Sequence, residues 1–421
     1  MLDADHRSLW RPYTSTDERR DRDPLVIVGG RGARLFDSEG RSYIDGNGSW
    51  WCNNLGHNHP RIVESLVGQA KALLHCSMSD ATHEAAALLG EELLRIAPKG
   101  LERVFYSDNG STAVETALKI AIQFWAQNGQ PGRRRFVSLS GAYHGDTLGC
   151  VAVSDVPAFH RLLGNPSSEN LFVPMPGPDD DGLRAEAFLE GVLRERGSEI
   201  AALIVEPMVQ GASGMRFWSA PLLRRMRELT IQYDVLLIAD EVFVGYGRTG
   251  PMWACDHAGI APDLLCLAKG FSAGAMPFAA TLATGRIYDG FAGDRARALK
   301  HGHTFYGNPL GAALAREVLA IYREESVLAL AQERSAQLRE GFCALPQLQG
   351  ARTLGMVAAA EVGPADYLGD RGWRVYEAAR RRGALVRPLG NTVYLVPPLN
   401  IAEEDLAALL AILAESLEDA F

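Results

Sequence analysis

Short, mostly apolar segments alternate with amphipathic segments through the middle of the chain. The apolar segments lie at 103–106, 135–139, 201–205, 235–239, 263–267 and 278–283. Runs of this length and composition predict strands that are buried on both faces of a parallel sheet. Helical patterns such as 111–127 and 220–232 separate them, so the sequence predicts an α/β domain. The Pro-, Ser- and Asp-rich stretch 165–182 predicts a surface loop.

Both ends of the chain show a different pattern. Residues 25–45 alternate short β-type runs with glycine turns, which predicts a small meander or hairpin. Helices are predicted to begin at Pro60 and at Thr82, and a long one after Pro309. The C-terminal part predicts a smaller α+β unit, with elements near 352–362, 371–382, 393–397 and 402–418.

Length and composition narrow the class of protein. A chain of 421 residues is too long for one compact core, so two domains, or one large domain with appendages, are expected. The formal net charge of −9 argues against a nucleic-acid or membrane-surface binder, because both partners are anionic, and it favours a small-molecule partner. The 6 cysteines lack metal-ligand spacing and are expected to be reduced.

No part of the sequence indicates export or membrane insertion. The first residues, MLDADHRSLWRPYTS, contain acids and an early arginine but no apolar run. No stretch approaches the roughly 18 uninterrupted apolar residues of a membrane span. We therefore expect a cytoplasmic enzyme.

A carboxylate and an amine follow two of the predicted strands. Asp240 follows VLLIA, and Lys269 follows DLLCLA. Because ligands of open parallel sheets bind at the carboxyl ends of strands, both side chains are expected at a ligand site. A lysine can form a Schiff base with an aldehyde, and an acid can keep a pyridine nitrogen protonated. From these two residues alone, a structural ion pair is the alternative.

A glycine and two hydroxyl residues, Gly110-Ser111-Thr112, stand at the start of the predicted helix 111–127. Unpaired backbone N–H groups, the positive end of the helix dipole and side-chain donors together suit a phosphate. Serine and threonine are also ordinary N-cap residues, so the segment alone does not decide between the two interpretations.

Two further segments carry candidate ligand groups. Tyr143 and His144 follow the strand 135–139, where an aromatic side chain could stack on a flat ring or simply pack in a loop. Thr304 follows Gly302-His303 and could donate to a phosphate or be a turn residue.

An ordered set of motifs runs through the middle of the chain: D-N-G-S, Y-H-G-D, V-E-P, I-A-D-E-V, G-R-T-G, L-A-K-G and H-T-F-Y-G-N-P. This set resembles the class III aminotransferases. The resemblance implies a fold-type I pyridoxal-phosphate-dependent transferase of α/β class. The resemblance further implies a large domain with a mostly parallel seven-stranded sheet and a small α+β domain. It also implies a homodimer with active sites at the subunit interface. The implied division is an N-terminal segment 1–58, a cofactor-binding domain 59–308, and a bridging helix with the C-terminal small domain 309–421.

The resemblance also implies roles for single residues. Lys269 is expected to form the Schiff base with pyridoxal 5′-phosphate and to shuttle protons, and Asp240 to pair with the pyridinium nitrogen. Tyr143 is expected to stack on the ring, and Thr304 of the other subunit to bind the phosphate. The further residues expected at or near the cofactor are Gly110, Ser111, His144, Glu206 and Arg248.

Two substrate segments resemble the biotin-pathway members of class III, which convert 8-amino-7-oxononanoate to 7,8-diaminononanoate. They are W-R-P-Y-T-S with G-N-G-S-W-W-C-N-N-L-G-H-N-H-P near the start, and V-R-P-L-G-N-T-V-Y-L-V-P-P near the end. An aliphatic chain with a carboxylate needs an apolar channel and a cation. Arg387 is expected to hold the carboxylate, and core packing is the alternative for Trp51. The other residues expected in the cleft are Tyr13, Trp50, Tyr143, Lys269 and Tyr394. Tyr13 is also expected to take part in catalysis.

The amino donor and the exact reaction stay open. Members that use S-adenosylmethionine commonly read G-P-T-F where this chain reads G-H-T-F, and His303 is closer to members that use lysine. We therefore expect His303 at the substrate. The alternatives are an ω-amino-acid:pyruvate, diamine or 4-aminobutyrate transaminase, a racemase or aminomutase, and a non-catalytic binding module of the same fold.

Overall fold

The computed structural model describes residues 1–21, 23–160, 169–177 and 180–421 of the chain. None of the helices in these ranges is long and apolar enough to cross a bilayer. The helices are α1 (Leu2–Ser8), α2 (Thr16–Asp21), α3 (Gly48–Trp51), α4 (Pro60–Ala72), α5 (Glu84–Ile96), α6 (Gly110–Gln127), α7 (Leu148–Ala152), α8 (Pro157–His160), α9 (Leu183–Arg196), α10 (Ala220–Gln232), α11 (Gly285–Asp289), α12 (Pro309–Glu324), α13 (Val327–Cys343), α14 (Arg371–Arg381) and α15 (Glu403–Ala420).

The strands alternate with these helices through the middle of the chain. They are β1 (Ile27–Arg31), β2 (Arg34–Asp37), β3 (Ser42–Asp45), β4 (Leu101–Ser107), β5 (Arg135–Leu139), β6 (Leu171–Val173), β7 (Ile200–Val205), β8 (Val209–Gln210), β9 (Arg216–Phe217), β10 (Leu236–Asp240), β11 (Leu264–Leu267), β12 (Ala279–Thr284), β13 (Gln349–Leu354), β14 (Val357–Glu361), β15 (Ala384–Leu385) and β16 (Thr392–Leu395).

Seven strands form the central sheet, in the order β4-β12-β11-β10-β7-β5-β6. Strand β12 runs antiparallel to both its neighbours, and the remaining pairs are parallel. Every residue of β7, β10 and β11 is buried, as expected for strands covered on both faces by helices. The predicted α/β class with a mostly parallel seven-stranded sheet is confirmed.

The prediction of a loop at 165–182 is wrong for three of its residues. Strand β6 pairs in parallel with β5, Leu171 opposite Val137, and closes one edge of the sheet. Three residues are too few to show a period, and the pairing depends on β5 rather than on local sequence. Residues 161–168 and 178–179 lie outside the described ranges.

Two helix predictions need correction at their ends. The long helix expected after Pro309 is two helices, α12 and α13, which are separated at Ser326, whose φ is +53°. Helix α5 begins at Glu84 rather than Thr82, because the Nδ1 atom of His83 accepts the N–H of Ala86 and acts as the N-cap.

The two ends of the chain meet in small sheets beside the central one. Strand β15 lies parallel to β3 in the four-stranded sheet β1-β2-β3-β15, with Ala384 opposite Ile44. Strands β13, β14 and β16 form a three-stranded sheet. The turn after β3 and the segment around β15 and β16 therefore lie next to each other, although the sequence separates them by most of the chain.

Candidate active site

Asp240 and Lys269 lie at the carboxyl ends of neighbouring parallel strands. Asp240 is the last residue of β10 and pairs in register with Cys266 of β11, and Lys269 follows shortly after β11 ends. Both side chains line one cavity of about 540 Å³. Lys269 has a φ of +48°, a left-handed conformation that is uncommon for residues with a side chain. Such backbone strain clusters at functional sites, and here it turns the chain directly after the strand.

The amine of Lys269 is buried among aromatic rings. Its Nζ atom lies 4.8 Å from the centre of the Trp51 ring and 5.7 Å from that of Phe243. Burial lowers the pKa of Lys269, while the charges of Asp240 and Glu206 act in the opposite direction. A lysine with a lowered pKa is more often neutral, and the neutral amine is the form that acts as nucleophile or base.

A buried histidine holds Asp240. The Nδ1 atom of His144 lies 2.8 Å from one carboxylate oxygen of Asp240, and the N–H of Val242 donates to the other at 3.1 Å. The side chains of His144 and Asp240 are both buried. Buried carboxylates require such partners, so these contacts compensate for burial and fix the orientation of Asp240.

The amino end of α6 faces the same cavity through Gly110 and Ser111. The side chain of Asn109 accepts the N–H of Thr112, and in the described part of the chain the N–H groups of Gly110 and Ser111 have no acceptor. The start of an 18-residue helix with free N–H groups suits an anion. A Cβ atom on Gly110 would lie 2.7 Å from Val242, so this position has room only for glycine.

The donor set of this cavity fits pyridoxal phosphate. A buried amine stands ready for an aldehyde, a buried carboxylate for a ring nitrogen, and unpaired N–H groups for a phosphate. Gly145, with a φ of +122°, lets the loop that carries Tyr143 and His144 approach Ser111, where a Cβ atom would overlap the Ser111 hydroxyl. Within the described ranges, no three or more His, Cys, Asp or Glu side chains group in a way that could hold a metal ion.

A second cavity, of about 700 Å³, continues from the first. The two share the lining residues Trp51, Cys52, Tyr143 and Lys269. Aromatic rings form a large part of its wall, and those that line it beyond the shared ones are Tyr13, Trp50, Phe159, Tyr367 and Trp373. A ligand in this cleft would meet apolar surface on its way to Lys269.

Arg387 supplies a cation to the cleft. Its guanidinium carbon lies 5.2 Å from the centre of the Trp50 ring and 5.5 Å from that of Trp373. Among the residues that the structure describes, no carboxylate forms an ion pair with Arg387. An arginine held against indole rings without an internal counter-ion is suited to bind a carboxylate of a ligand.

Tyr13 and Tyr143 share one acceptor, Asp146. Their hydroxyl groups donate to the same oxygen of Asp146 at 2.5 and 2.8 Å and lie 3.4 Å apart. Burial raises the pKa of Tyr13 to about 12, and it also raises the pKa of Tyr143, so both hydroxyls remain donors at neutral pH. Asp146 is the last residue of the Y-H-G-D motif, and sequence reasoning assigned it no role.

The adjacent tryptophans face different surroundings. Trp50 is 44% exposed in the cleft, whereas Trp51 is 4% exposed and lies over Lys269. Both belong to a strained helical turn, in which Ser49 has a φ of +60°, and this turn points the two side chains into different environments. Trp51 donates through Nε1 to the hydroxyl of Tyr394 at 3.0 Å, and Tyr394 lies behind it, outside the lining of both cavities.

Glu206 and Arg248 are both buried but differ in position. Glu206 lines the first cavity and accepts the N–H groups of Tyr143 and Gly211 at 3.0 and 2.9 Å; burial raises its pKa to about 7. Arg248 instead donates to the carbonyl groups of Met356 and Pro397, away from the cavity lining.

His303 and Thr304 line neither cavity of the single chain. The Nδ1 atom of His303 lies 3.3 Å from a carboxylate oxygen of Asp108, which does line the first cavity. Thr304 is exposed to solvent. Its expected contact with a phosphate involves another subunit and stays a prediction.

A buried lysine and a buried carboxylate at adjacent strand ends, with a helix start for a phosphate, define a pyridoxal-phosphate-dependent enzyme of α/β fold. The family described as aminotransferase class-III matches residues 16–417. The chain therefore belongs to the class III aminotransferases, and it is a transaminase that uses pyridoxal phosphate.

Individual relatives cover nearly the whole chain. An adenosylmethionine-8-amino-7-oxononanoate aminotransferase of Geobacter sulfurreducens is 40% identical over 99% of this chain and 97% of its own length. The crystal structure of the enzyme with that name from Methanocaldococcus jannaschii has a TM-score of 0.95 and 32% identity, covering 99% of this chain and 98% of that one. A PLP-bound amine transaminase from an uncultivated Pseudomonas species has a TM-score of 0.92 and 33% identity, covering 98% and 99%.

Proposed function

We propose that this chain transaminates 8-amino-7-oxononanoate to 7,8-diaminononanoate, a step of biotin biosynthesis, with S-adenosylmethionine or lysine as the amino donor. The observation that carries the proposal is the aromatic cleft of about 700 Å³ that is lined by both Lys269 and Arg387. An acceptor with an aliphatic chain and a terminal carboxylate matches the aromatic rings of the cleft and an arginine that pairs with no carboxylate of the described residues. The names of relatives at 40% and 32% identity support the same substrate.

At the cofactor end of the site, each group of the protein would have a separate task. Bound pyridoxal phosphate supplies an aldehyde that takes up an amino group and a ring that draws electrons from the carbon beside it. Lys269 Nζ removes the proton from the donor carbon and, in the second half-reaction, delivers a proton to the acceptor carbon that becomes C7 of the product. Asp240, held by His144, keeps the ring nitrogen protonated. The N–H groups of Gly110 and Ser111 bind the phosphate.

At the substrate end of the site, the residues that line the cleft would bind and orient the substrates. Arg387 binds the carboxylate of the keto acid, and Trp50 packs along its aliphatic chain. Tyr143 covers the cofactor ring, and Tyr13 acts beside the reacting carbons, both held by Asp146. Glu206 holds the backbone of Tyr143. His303 lies near the donor, and Tyr394 supports Trp51 from behind.

We also propose a homodimer in which Thr304 of the partner subunit completes the phosphate site. The support is that Thr304 and its neighbour Phe305, which is 54% exposed, both lie on the surface, where a second subunit can cover them. We further propose that 1–58 and 309–421 form a small domain on the large domain 59–308. Light scattering should give the mass of a dimer; a monomer that retains full cofactor affinity would contradict the shared site.

The acceptor assay tests the proposed function directly. Purified enzyme should convert 8-amino-7-oxononanoate at a kcat/KM far above those for pyruvate and 2-oxoglutarate. Half-reaction spectra recorded in parallel with S-adenosylmethionine and with lysine should show which donor changes the cofactor absorbance. If pyruvate or 2-oxoglutarate were the preferred acceptor, the substrate assignment would be wrong.

The alternative is an ω-amino-acid or diamine:pyruvate transaminase, or one of 4-aminobutyrate type. The similarity to a PLP-bound amine transaminase, with a TM-score of 0.92, favours it, because both enzymes share the fold. Arg387 in the aromatic cleft favours the keto-acid substrate instead. A strong preference for pyruvate in the same assay would identify the alternative.

A further inference from the structure

We propose that Asn47 is a positioning residue that holds Arg387 in register with the tryptophan wall of the cleft. This inference rests on the proposed role of Arg387 as the carboxylate anchor. Asn47 is 3% exposed and immediately precedes the turn that carries Trp50 and Trp51. It lines neither cavity, so it would act through its neighbours and not on the substrate itself.

One amide side chain joins two distant segments. The Oδ1 atom of Asn47 accepts the backbone N–H of Arg387 at 2.5 Å, and its Nδ2 atom donates to the carbonyl of Tyr394 at 3.2 Å. The first of these bonds spans 340 positions of the sequence. Asn47 therefore ties the start of the turn that carries Trp50 and Trp51 to the backbone of Arg387 and of Tyr394. Both polar atoms of its side chain have hydrogen-bond partners.

The turn that Asn47 begins requires such support. Ser49 has φ +60° and ψ −89°, and Trp51 has φ +66°, conformations that side-chain-bearing residues adopt only when their surroundings enforce them. Asp45 secures the start of the turn, because it accepts the N–H of Ser49 at 2.6 Å and its hydroxyl at 3.0 Å. Asn47 ties the turn to the opposite wall.

This tie sets the position of the cation in the cleft. The guanidinium carbon of Arg387 lies 5.2 Å from the centre of the Trp50 ring. This contact keeps its geometry only while the backbone segments that carry the two side chains stay fixed relative to each other. Without Asn47, the N–H of Arg387 would lose its acceptor and the segment would relax. The distance from the cation to Lys269 would then vary, and a keto acid of fixed length would bind less well.

The substitution should not unfold the region. Two backbone bonds join the same segments independently of Asn47: Gly46 N–H donates to Leu385 at 2.9 Å, and Val396 N–H donates to Gly46 at 2.8 Å. Asn400 provides a matched control. Its Nδ2 atom donates to the carbonyl of Leu55 at 3.2 Å, so it also joins the two ends of the chain, but it does not contact Arg387.

The experiment is a double-mutant cycle on the holoenzyme. Asn47→Ala should raise the KM for 8-amino-7-oxononanoate about tenfold, as for loss of the acceptor of a partly buried donor, and change the KM for the amino donor less than about twofold. Asn400→Ala should alter neither KM. In the Arg387→Ala background, Asn47→Ala should add no further increase, because the two residues act through one contact. Asn47→Ser, which shortens the side chain, should give the same split, so that the test does not depend on one variant.

The contrary outcomes separate the two proposals. Equal increases in both KM values, or fully additive effects in the cycle, would show that Asn47 supports the fold in general and would overturn this inference alone. If Arg387→Ala by itself left the KM for the keto acid unchanged, the anchor role would fail, and this inference with it.

Discussion

Replacing Arg387 with alanine removes the cation from the substrate cleft and leaves the cofactor site intact. In the proposed complex the guanidinium forms a charge-assisted hydrogen bond with the carboxylate of the keto acid. Such bonds contribute a net 1.5–3 kcal/mol, roughly, to binding. Because about 1.4 kcal/mol corresponds to a factor of ten, the KM for the keto acid should rise by a factor of about 10 to 150.

The surroundings of Arg387 decide where in that range the value falls. The guanidinium lies against the rings of Trp50 and Trp373, which exclude part of the water, but the side chain is not fully buried. Partial access of water weakens the pair, so we expect a value in the lower half of the range. Arg387→Lys should retain part of the affinity, because the charge remains while the planar fork and its stacking on indole are lost.

The assay compares the acid with its methyl ester. Initial rates at saturating donor give the KM for each acceptor, and rates at saturating acceptor give the KM for the donor. The ester carries no charge, so Arg387→Ala should affect it little, and the preference of the wild type for the acid should nearly disappear in the variant. Equal effects on acid and ester, or on acceptor and donor, would refute Arg387 as the selective anchor.

Three other predictions concern the cofactor site. Lys269→Ala should abolish turnover and the visible absorbance of the bound cofactor; normal turnover would refute the assignment of Lys269. Gly110→Ala places a Cβ atom 2.7 Å from Val242 and should weaken cofactor affinity by at least about tenfold in a fluorescence titration, whereas Gly68→Ala, which has open space, should not. Burial raises the pKa of Glu206 from 4.5 to about 7, so the folded chain retains a proton that the unfolded chain releases in this window. The contribution of that proton to the free energy of unfolding therefore falls as pH rises from about 4.5 to 7. Over this pH range the Tm of the Glu206→Gln apoenzyme should fall less than that of the wild type. An equal dependence of Tm on pH in the two proteins would contradict this prediction.

The sequence predicts the central sheet well because its strands are buried on both faces. Burial leaves continuous apolar runs, and six such runs correspond to β4, β5, β7, β10, β11 and β12. The seventh strand, Leu171–Val173, is short and depends on pairing with β5. The break between α12 and α13 depends on the positive φ of Ser326, and the sequence has no glycine at this position that would predict it. Local patterns therefore predict the interior strands and miss features that neighbours impose.

The candidate site divides in a similar way. Asp240 and Lys269 follow from the rule that ligands bind at the carboxyl ends of parallel strands. Tyr13 and Arg387 enter only through the resemblance to a family, since their approach depends on the two ends of the chain meeting. Trp373 and Phe159 carry no sequence signal at all, because an aromatic residue on a helix is equally typical of packing. Contacts that span 340 positions, such as that of Asn47 with Arg387, are set by the fold alone.

Two carboxylates influence the Lys269 amine, and their partners suggest different tasks. Asp240 contacts the ring nitrogen of His144 at 2.8 Å and accepts the N–H of Val242 at 3.1 Å. Within the described ranges, the carboxylate of Glu206 has only backbone N–H groups as hydrogen-bond partners, and burial raises its pKa to about 7. Near neutral pH, Glu206 is therefore protonated in part of the molecules, and it serves mainly to hold the backbone of Tyr143. The charge that would face a protonated pyridine nitrogen then belongs to Asp240, because a partly neutral carboxyl would stabilise that cation less.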